Sequence, residues 1–280
     1  MILSRKSFIS GGLAAALARP ALAREWTTIR AATEGAFPPF NATAPDGTLI
    51  GFEPDMCAEI ARRQKVTISL MAQAWDGIIP GLNDGKYDAI VDGMSITAKR
   101  EEVIAFTRPY TTSGSGFTVR KDGPLAEMAG SGTSVALDDE AQAQAAVAAL
   151  TPALQGKTVA VQVATIQFDL LNRYLKDVVT IRTYAAGPDT YLDLKNGRAD
   201  AVLSSRTNAA PFIKRSRGEL GPSGYAFTGG VLGRGSAFGL RKSDPELKAI
   251  LDAGLGSMIE DGSLRALSMK WFELDVTPKA

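Results

Sequence analysis

Histidine is absent from the 280-residue sequence. Its absence removes the commonest general base, the usual serine and cysteine triads, and most zinc sites. A polar site built without histidine favours recognition over chemistry. We therefore predict no catalytic residue, no metal and no cofactor.

Cysteine and net charge are also scarce. Cys57 is the single cysteine, so no disulfide can form within the chain. Lysine and arginine number 31 against 30 acidic residues, a net charge of +1, and the basic residues form no block. This near-neutral balance argues against nucleic acid as a partner.

Apolar runs of membrane-spanning length are missing, so we expect the mature chain to be soluble. Residues 1–23 have the three marks of a signal peptide: basic Arg5 and Lys6, a short apolar stretch, and an A-x-A site at 21–23. An N-terminal helix of the folded protein is the alternative. Cleavage would leave 28 basic and 30 acidic residues, a net charge of −2.

Short apolar strands alternate with helical stretches along the remaining chain, which is typical of parallel α/β units. We predict two α/β lobes. The first comprises 24–113 and 232–280, and the second comprises 114–231 with an inserted helical segment at about 134–155. Two chain crossings would then join the lobes and leave a ligand cleft above a hinge.

A candidate anion site lies where Ser95 to Arg100 place a loop, a helix cap and an arginine in one first turn. Free backbone N–H groups at such a turn attract anions, and a guanidinium matches a carboxylate bidentately. The helix dipole disfavours arginine there, which favours a functional role. We predict that Arg100 binds a ligand carboxylate, with the Ser95 hydroxyl and backbone groups of Gly93 and Met94 beside it. A surface arginine is the alternative.

Two further pairs of residues follow predicted strands. Gln162 and Thr165 open a helix in the second lobe, where they can meet the same carboxylate. Glu34 and Asp92 end neighbouring strands of the first lobe, where binding residues of α/β sheets gather. Two carboxylates there repel unless a cation lies between them, so they predict a cation site. The alternative for Gln162 and Thr165 is an ordinary strand-to-helix loop. The alternative for Glu34 and Asp92 is a pair of solvated loop acids.

Several stretches resemble the polar-amino-acid solute-binding proteins of ABC importers, the bacterial extracellular solute-binding proteins of family 3. They include ATEGAFPPF (32–40), AWDGIIPGLNDGKYDAIVDGMSITAKREEVIAFTRPY (74–110) and DLKNGRADAVL (193–203). The nearest likeness is to the lysine/arginine/ornithine, octopine and nopaline binders. The resemblance implies a periplasmic-binding-protein-like fold, location in the periplasm, and delivery of ligand to an ABC permease in the inner membrane. We expect a monomer.

The resemblance also implies roles for single residues. The position of Glu34 is acidic in the basic-amino-acid binders and contacts the side-chain cation of the ligand. Phe37 and Trp75 match positions that sandwich the ligand, although aromatic residues more often lie in the core.

Three positions depart from the family pattern. Asp92 stands where a serine or alanine is common, which implies a stronger demand for a cation. Ser205 stands where an aspartate pairs the α-ammonium of the ligand, and a hydroxyl suits a substituted nitrogen better. Ala164 replaces a usual glycine. These departures favour arginine or an arginine-derived opine as ligand.

Two alternatives in function stay open. One is another polar amino acid as ligand. The other is a periplasmic dehydratase or lyase of the cyclohexadienyl dehydratase type on the same fold, with Glu34 or Asp92 as its acid or base.

Overall fold

The computed structural model describes residues 26–278, so the expected signal peptide at 1–23 lies outside the described residues. The strands of the described part are β1 (Thr28–Thr33), β2 (Ala36–Phe37), β3 (Asn41–Thr43), β4 (Leu49–Ile50), β5 (Thr67–Ala72), β6 (Ala89–Ile90), β7 (Ala105–Phe106), β8 (Ser115–Arg120), β9 (Ser134–Ala136), β10 (Thr158–Gln162), β11 (Thr180–Tyr184), β12 (Ala201–Ser205), β13 (Leu220–Thr228) and β14 (Gly239–Leu240). Its helices are α1 (Phe52–Gln64), α2 (Ile78–Asn83), α3 (Ala98–Glu101), α4 (Glu140–Leu154), α5 (Ile166–Tyr174), α6 (Gly187–Lys195), α7 (Arg206–Arg215), α8 (Pro245–Glu260) and α9 (Ser263–Phe272).

The first lobe is built on a five-stranded sheet in the order β5-β1-β6-β14-β7. Strand β1 runs parallel to β5 and β6, whereas β14 runs antiparallel to β6 and β7. Helix α1 buries Phe52, Met56 and Ile60, spaced four residues apart, against this sheet. Because β14 comes from the C-terminal part of the chain, the chain leaves this lobe and returns to it.

The second lobe is built on a six-stranded sheet in the order β11-β10-β12-β8-β13-β9. Strand β10 runs parallel to β11 and β12, and β8 runs antiparallel to β12 and β13. All its strands lie between positions 115 and 228, inside the sequence of the first lobe. The predicted fold of two α/β lobes, one inserted in the other, is therefore confirmed. The exact lobe limits stay a prediction.

The inserted segment predicted at about 134–155 contains α4, which runs from Glu140 to Leu154. It packs on the second lobe through Ala143, Ala146, Leu150 and Leu154, a spacing that places them on one face. The helix is therefore part of the core of the lobe and not only a surface addition.

The two lobes contact each other directly across the cleft. The Trp75 indole Nε1 donates to the Ala164 carbonyl at 3.2 Å, and the Asn208 amide Nδ2 donates to the Pro38 carbonyl at 2.7 Å. The structure is therefore a closed form. Within residues 26–278, no helix has both the length and the apolar character needed to cross a bilayer.

Candidate functional site

A cavity lies between the lobes, at the carboxyl ends of β1, β6, β10 and β12. Ten of the eleven residues predicted from the sequence line it: Glu34, Phe37, Trp75, Asp92, Gly93, Ser95, Arg100, Gln162, Thr165 and Ser205. The structure therefore brings together the side chains that the sequence spreads over 172 positions.

Met94 is the departure from that prediction. Its side chain is fully buried in the core of the first lobe, and its carbonyl accepts the Ala237 N–H at 3.0 Å. Met94 therefore packs in the core of the first lobe and does not line the cavity.

Arg100 lies at the start of α3, where the Thr97 Oγ1 accepts the Arg100 backbone N–H at 3.2 Å, as the predicted cap requires. Arg100 is 9% exposed, and its guanidinium donates to the Ser95 carbonyl at 3.0 Å and lies 5.2 Å from the centre of the Trp75 ring. Within the described residues no carboxylate lies within 4.0 Å of it. Burial lowers the pKa of Arg100 to about 10. A buried cation without a protein carboxylate is suited to bind an anion from outside.

Thr165 forms the cap of α5 in the second lobe. Its Oγ1 accepts the Phe168 N–H at 3.2 Å and donates to the Gln162 carbonyl at 2.8 Å. The preceding Ala164 has a φ of +58°, the left-handed region that glycine adopts at low cost. This conformation supplies a physical reason for glycine at that position in similar chains.

Glu34 reaches the second lobe. Its Oε1 accepts the Gln162 Nε2 amide at 2.8 Å, and the same amide donates to the Ala185 carbonyl at 3.1 Å. Burial raises the pKa of Glu34, the charge of Asp76 adds to that rise, and the Gln162 amide opposes it. A cation beside Glu34 would stabilise its carboxylate form.

Asp92 follows β6 and is only 3% exposed. Its Oδ1 accepts the Thr33 hydroxyl at 3.2 Å and the Asn41 amide at 2.8 Å, whereas Oδ2 has no hydrogen-bond partner in the described part of the chain. Burial raises the pKa of Asp92 well above its usual range, and the charges of Glu53 and Glu34 raise it further. Glu53, which lies in the first turn of α1, was not predicted from the sequence.

The aromatic wall of the cavity begins with Phe37, which stacks on Phe40 at 5.0 Å between ring centres. Gly93 faces the same ring with a φ of +55°. A Cβ at Gly93 would lie 2.6 Å from the Phe37 ring, so a side chain there would displace the aromatic wall.

Three hydroxyls at the end of β12 form a patch, which we call the hydroxyl patch; Ser113 and Ser205 line the cavity, and Thr207 lies beside them. Ser205 Oγ lies 2.7 Å from Thr207 Oγ1 and 3.4 Å from Ser113 Oγ. Among the described lining residues the carboxylates are Glu34 and Asp92, both in the first lobe. The hydroxyl patch therefore offers a ligand neutral donors and acceptors.

Sequence reasoning missed eight polar lining residues: Ser113, Ser115, Gln167, Thr190, Tyr191, Ser204, Asn208 and Ser236. Gln167 and Asn208 lie in the first turns of helices that follow β10 and β12, a position that could have identified them. Ser113 and Ser115 lie at the chain crossing, where no motif marks them.

Comparison with known proteins finds relatives that are similar over most of the chain. The octopine-binding periplasmic protein of Rhizobium meliloti is 39% identical over 271 residues, covering 90% of this chain and 92% of that protein. The L-cystine-binding protein TcyJ of Escherichia coli is 32% identical over 275 residues, covering 98% of this chain and 91% of that protein. A periplasmic His/Glu/Gln/Arg/opine family-binding protein from Silicibacter pomeroyi, solved in complex with lysine, has a TM-score of 0.73 and 34% identity over 90% of this chain and 100% of that one.

The family model for bacterial extracellular solute-binding proteins, family 3, matches residues 29–274, nearly the whole described part of the chain. The matched range includes both sheets and every residue that lines the cavity. The chain therefore belongs to the bacterial extracellular solute-binding proteins of family 3.

Proposed function

We propose that this protein binds arginine or an arginine-derived opine between its lobes and delivers it to an ABC permease. The observation that carries the proposal is the distribution of charge in the cavity. A buried guanidinium without a protein carboxylate faces a space that also contains two carboxyl groups short of cationic partners. A ligand with one carboxylate and one strong cation satisfies both.

The carboxylate of the ligand would bind at Arg100. A bidentate guanidinium–carboxylate pair there would gain the free N–H groups at the starts of α3 and α5, and the hydroxyl of Ser95. Because Thr165 opens α5 in the other lobe, one carboxylate can contact both lobes. Such a contact exists only when the lobes are closed, so binding would shift the open–closed equilibrium towards the closed form.

The cation of the ligand would bind near Glu34 and Asp92. A guanidinium has five N–H donors in one plane, enough to serve both carboxyl groups, and its faces suit the flat rings of Phe37 and Trp75. A second ammonium, as in lysine or cystine, offers fewer donors in less fixed directions. Arginine derivatives therefore fit this end of the cavity best.

The α-nitrogen of the ligand would lie near the hydroxyl patch. A primary ammonium there would have no carboxylate in the second lobe to pair with, whereas the secondary amine of an opine needs fewer acceptors. The octopine-binding relative, which is 39% identical to this chain, also supports an opine as the ligand. We therefore favour an opine of arginine over arginine itself.

We further propose that the protein acts in the periplasm as a monomer, after export by the leader at 1–23, and without turnover of its ligand. The relatives named above are binding proteins by their descriptions, two of them periplasmic. Recognition by a permease would depend on the closed form, because only that form joins surfaces of both lobes.

Isothermal titration calorimetry with purified protein tests the proposal. Octopine, nopaline, arginine, ornithine, lysine, cystine and glutamine are titrated in turn. We expect octopine or arginine to bind most tightly. Tightest binding of glutamine or cystine would overturn the ligand assignment. Conversion of prephenate or arogenate by the protein would overturn the assignment as a binding protein.

A further inference from the structure

One amide group lies between two buried carboxyl groups beneath the cavity. The Asn41 Nδ2 donates to Glu53 Oε2 and to Asp92 Oδ1, both at 2.8 Å. Since an amide nitrogen has two hydrogens, both are used. Asn41 and Glu53 are fully buried, and Asp92 is 3% exposed.

The two carboxyl groups differ in their other donors. Glu53 Oε1 also accepts the Tyr110 hydroxyl at 2.5 Å and the Gly93 N–H at 2.6 Å, so Glu53 has three donors in all. Asp92 has two side-chain donors, both on Oδ1, and the backbone N–H of Glu34 also favours its carboxylate form, but its Oδ2 has no hydrogen-bond partner in the described residues. Asp92 is also the member of the pair that lines the cavity.

This asymmetry decides where a proton resides. Two adjacent carboxylates in a buried site repel, so such a pair tends to hold one proton. Glu53, with three donors, is best satisfied as a carboxylate, and the oxygen open to a proton is Asp92 Oδ2. The other titratable groups that act on this pair are Glu34 beyond β1, Arg100 on α3, Cys57 on α1, Tyr87 and Tyr110.

We propose that Asp92 carries a proton on Oδ2 in the ligand-free protein and releases it when a cationic nitrogen of the ligand binds there. The Asp92 O–H bond breaks, the proton passes to solvent, and a ligand N–H donates to the resulting carboxylate. Glu53 and Asn41 act as positioning residues, because their charge and hydrogen bonds set the protonation of Asp92. The inference rests on the proposed function, since it needs a ligand with a cation.

The consequence is a pH dependence with a definite sign. Cation binding lowers the pKa of Asp92 from its raised value in the ligand-free protein. Between the bound and free pKa values the cationic ligand binds with loss of one proton, so its association constant rises about tenfold per pH unit. Above the pKa of Asp92 in the ligand-free protein, the association constant no longer depends on pH.

Calorimetry in two buffers with different ionisation enthalpies counts the protons released per ligand. Arginine or octopine, whichever binds more tightly, is titrated at several values from about pH 5 to pH 8. We expect release to rise to about one proton per ligand within this range. Absence of release at every pH would overturn the inference. Failure of both ligands to bind would refute the proposed function, and the inference with it.

Matched variants locate the proton. Asp92→Asn should abolish release, and Glu53→Gln should reduce it and move the pH dependence to lower pH, because the neighbouring negative charge is gone. Glu34→Gln, the comparison variant, should weaken binding and also move the release to lower pH, because the charge of Glu34 raises the pKa of Asp92, but a proton should still be released. Circular dichroism checks the fold of each variant. Undiminished release in Asp92→Asn, or its loss in Glu34→Gln, would overturn the assignment to Asp92. If Glu53→Gln weakened binding but left the pH profile in place, the role given to Glu53 would be wrong.

Discussion

Replacement of Arg100 by methionine should have opposite effects on ligand binding and on the ligand-free protein. In the complex, the change removes a buried guanidinium from a ligand carboxylate. Removing one partner of a desolvated charge pair costs about 2–5 kcal/mol, which is about 30-fold to several thousand-fold in Kd. Affinity for arginine and for octopine should fall together, because both ligands carry that carboxylate.

In the ligand-free protein the same guanidinium is a buried charge with little compensation. Burial lowers the pKa of Arg100 from 12.5 to about 10. That shift corresponds to about 3 kcal/mol against the charged form. The hydrogen bond to the Ser95 carbonyl offsets about 1 kcal/mol of this cost. The ligand-free variant should therefore be as stable as the wild type, or more stable by up to about 2 kcal/mol.

Calorimetry and thermal unfolding with and without ligand measure both effects. The wild type should gain about 2.7 kcal/mol of stability at a ligand concentration of 100 times its Kd, and the variant should gain less than about 1 kcal/mol at that concentration. Arg62→Met is the control, because Arg62 pairs with Glu59 on the exposed side of α1 and does not line the cavity. A Kd of Arg100→Met within about threefold of the wild type would refute the carboxylate site.

Three further changes test other parts of the account. Glu34→Gln removes the carboxylate nearest the second lobe, so arginine should lose about tenfold more affinity than neutral citrulline in parallel titrations, and equal losses would contradict a cation site there. Trp75→Phe keeps an aromatic face but loses the 3.2 Å hydrogen bond to the Ala164 carbonyl; ligand dissociation in stopped-flow experiments should become about fivefold faster, whereas an unchanged rate would show that this bond does not hold the lobes closed. Ala164→Gly relieves a φ of +58°, so urea unfolding should show a gain of about 1 kcal/mol, and a loss of stability would contradict strain at this position.

The order of the main strands and helices could be predicted because each buried strand is a short apolar run. The runs at 29–33, 66–71 and 89–91 became β1, β5 and β6 within two residues. The pattern from Trp75 to Asn83 predicts one helix capped near Asp76; the structure has a 3-10 turn over Trp75–Gly77 followed by α2, and no side chain caps either one. The apolar run at 236–241 predicts one strand, but only Gly239–Leu240 is regular, and Ser236 instead makes isolated bridges to Ser95 and Thr111.

The longest strand, β13, was missed because its sequence has the marks of a loop. It contains Gly221, Pro222 and Gly224, residues that normally interrupt strands. In the structure a register shift between Ser223 and Ala226 accommodates them, while β13 still pairs with β8 and β9. Neighbouring strands, and not local preference, stabilise this segment, so the sequence alone could not reveal it.

The ten lining residues that the sequence predicts could be identified because they follow parallel strands, begin helices or match the family pattern. The network beneath the cavity could not be predicted. Asn41, Glu53, Asp92 and Tyr110 are far apart in sequence, and a glutamate in the first turn of a helix is usually exposed. Glu53 lies under the cavity, fully buried, only because α1 packs on the sheet.

The most direct test of the central claim compares three ligands in one calorimetric series. Arginine carries both the carboxylate and the guanidinium, agmatine lacks the carboxylate, and norvaline lacks the guanidinium. We expect arginine to bind at least about 100-fold more tightly than either analogue, because each loses a charge-assisted contact in a buried site. Equal affinity for arginine and agmatine would contradict the carboxylate site at Arg100, and equal affinity for arginine and norvaline would contradict the cation site at Glu34 and Asp92.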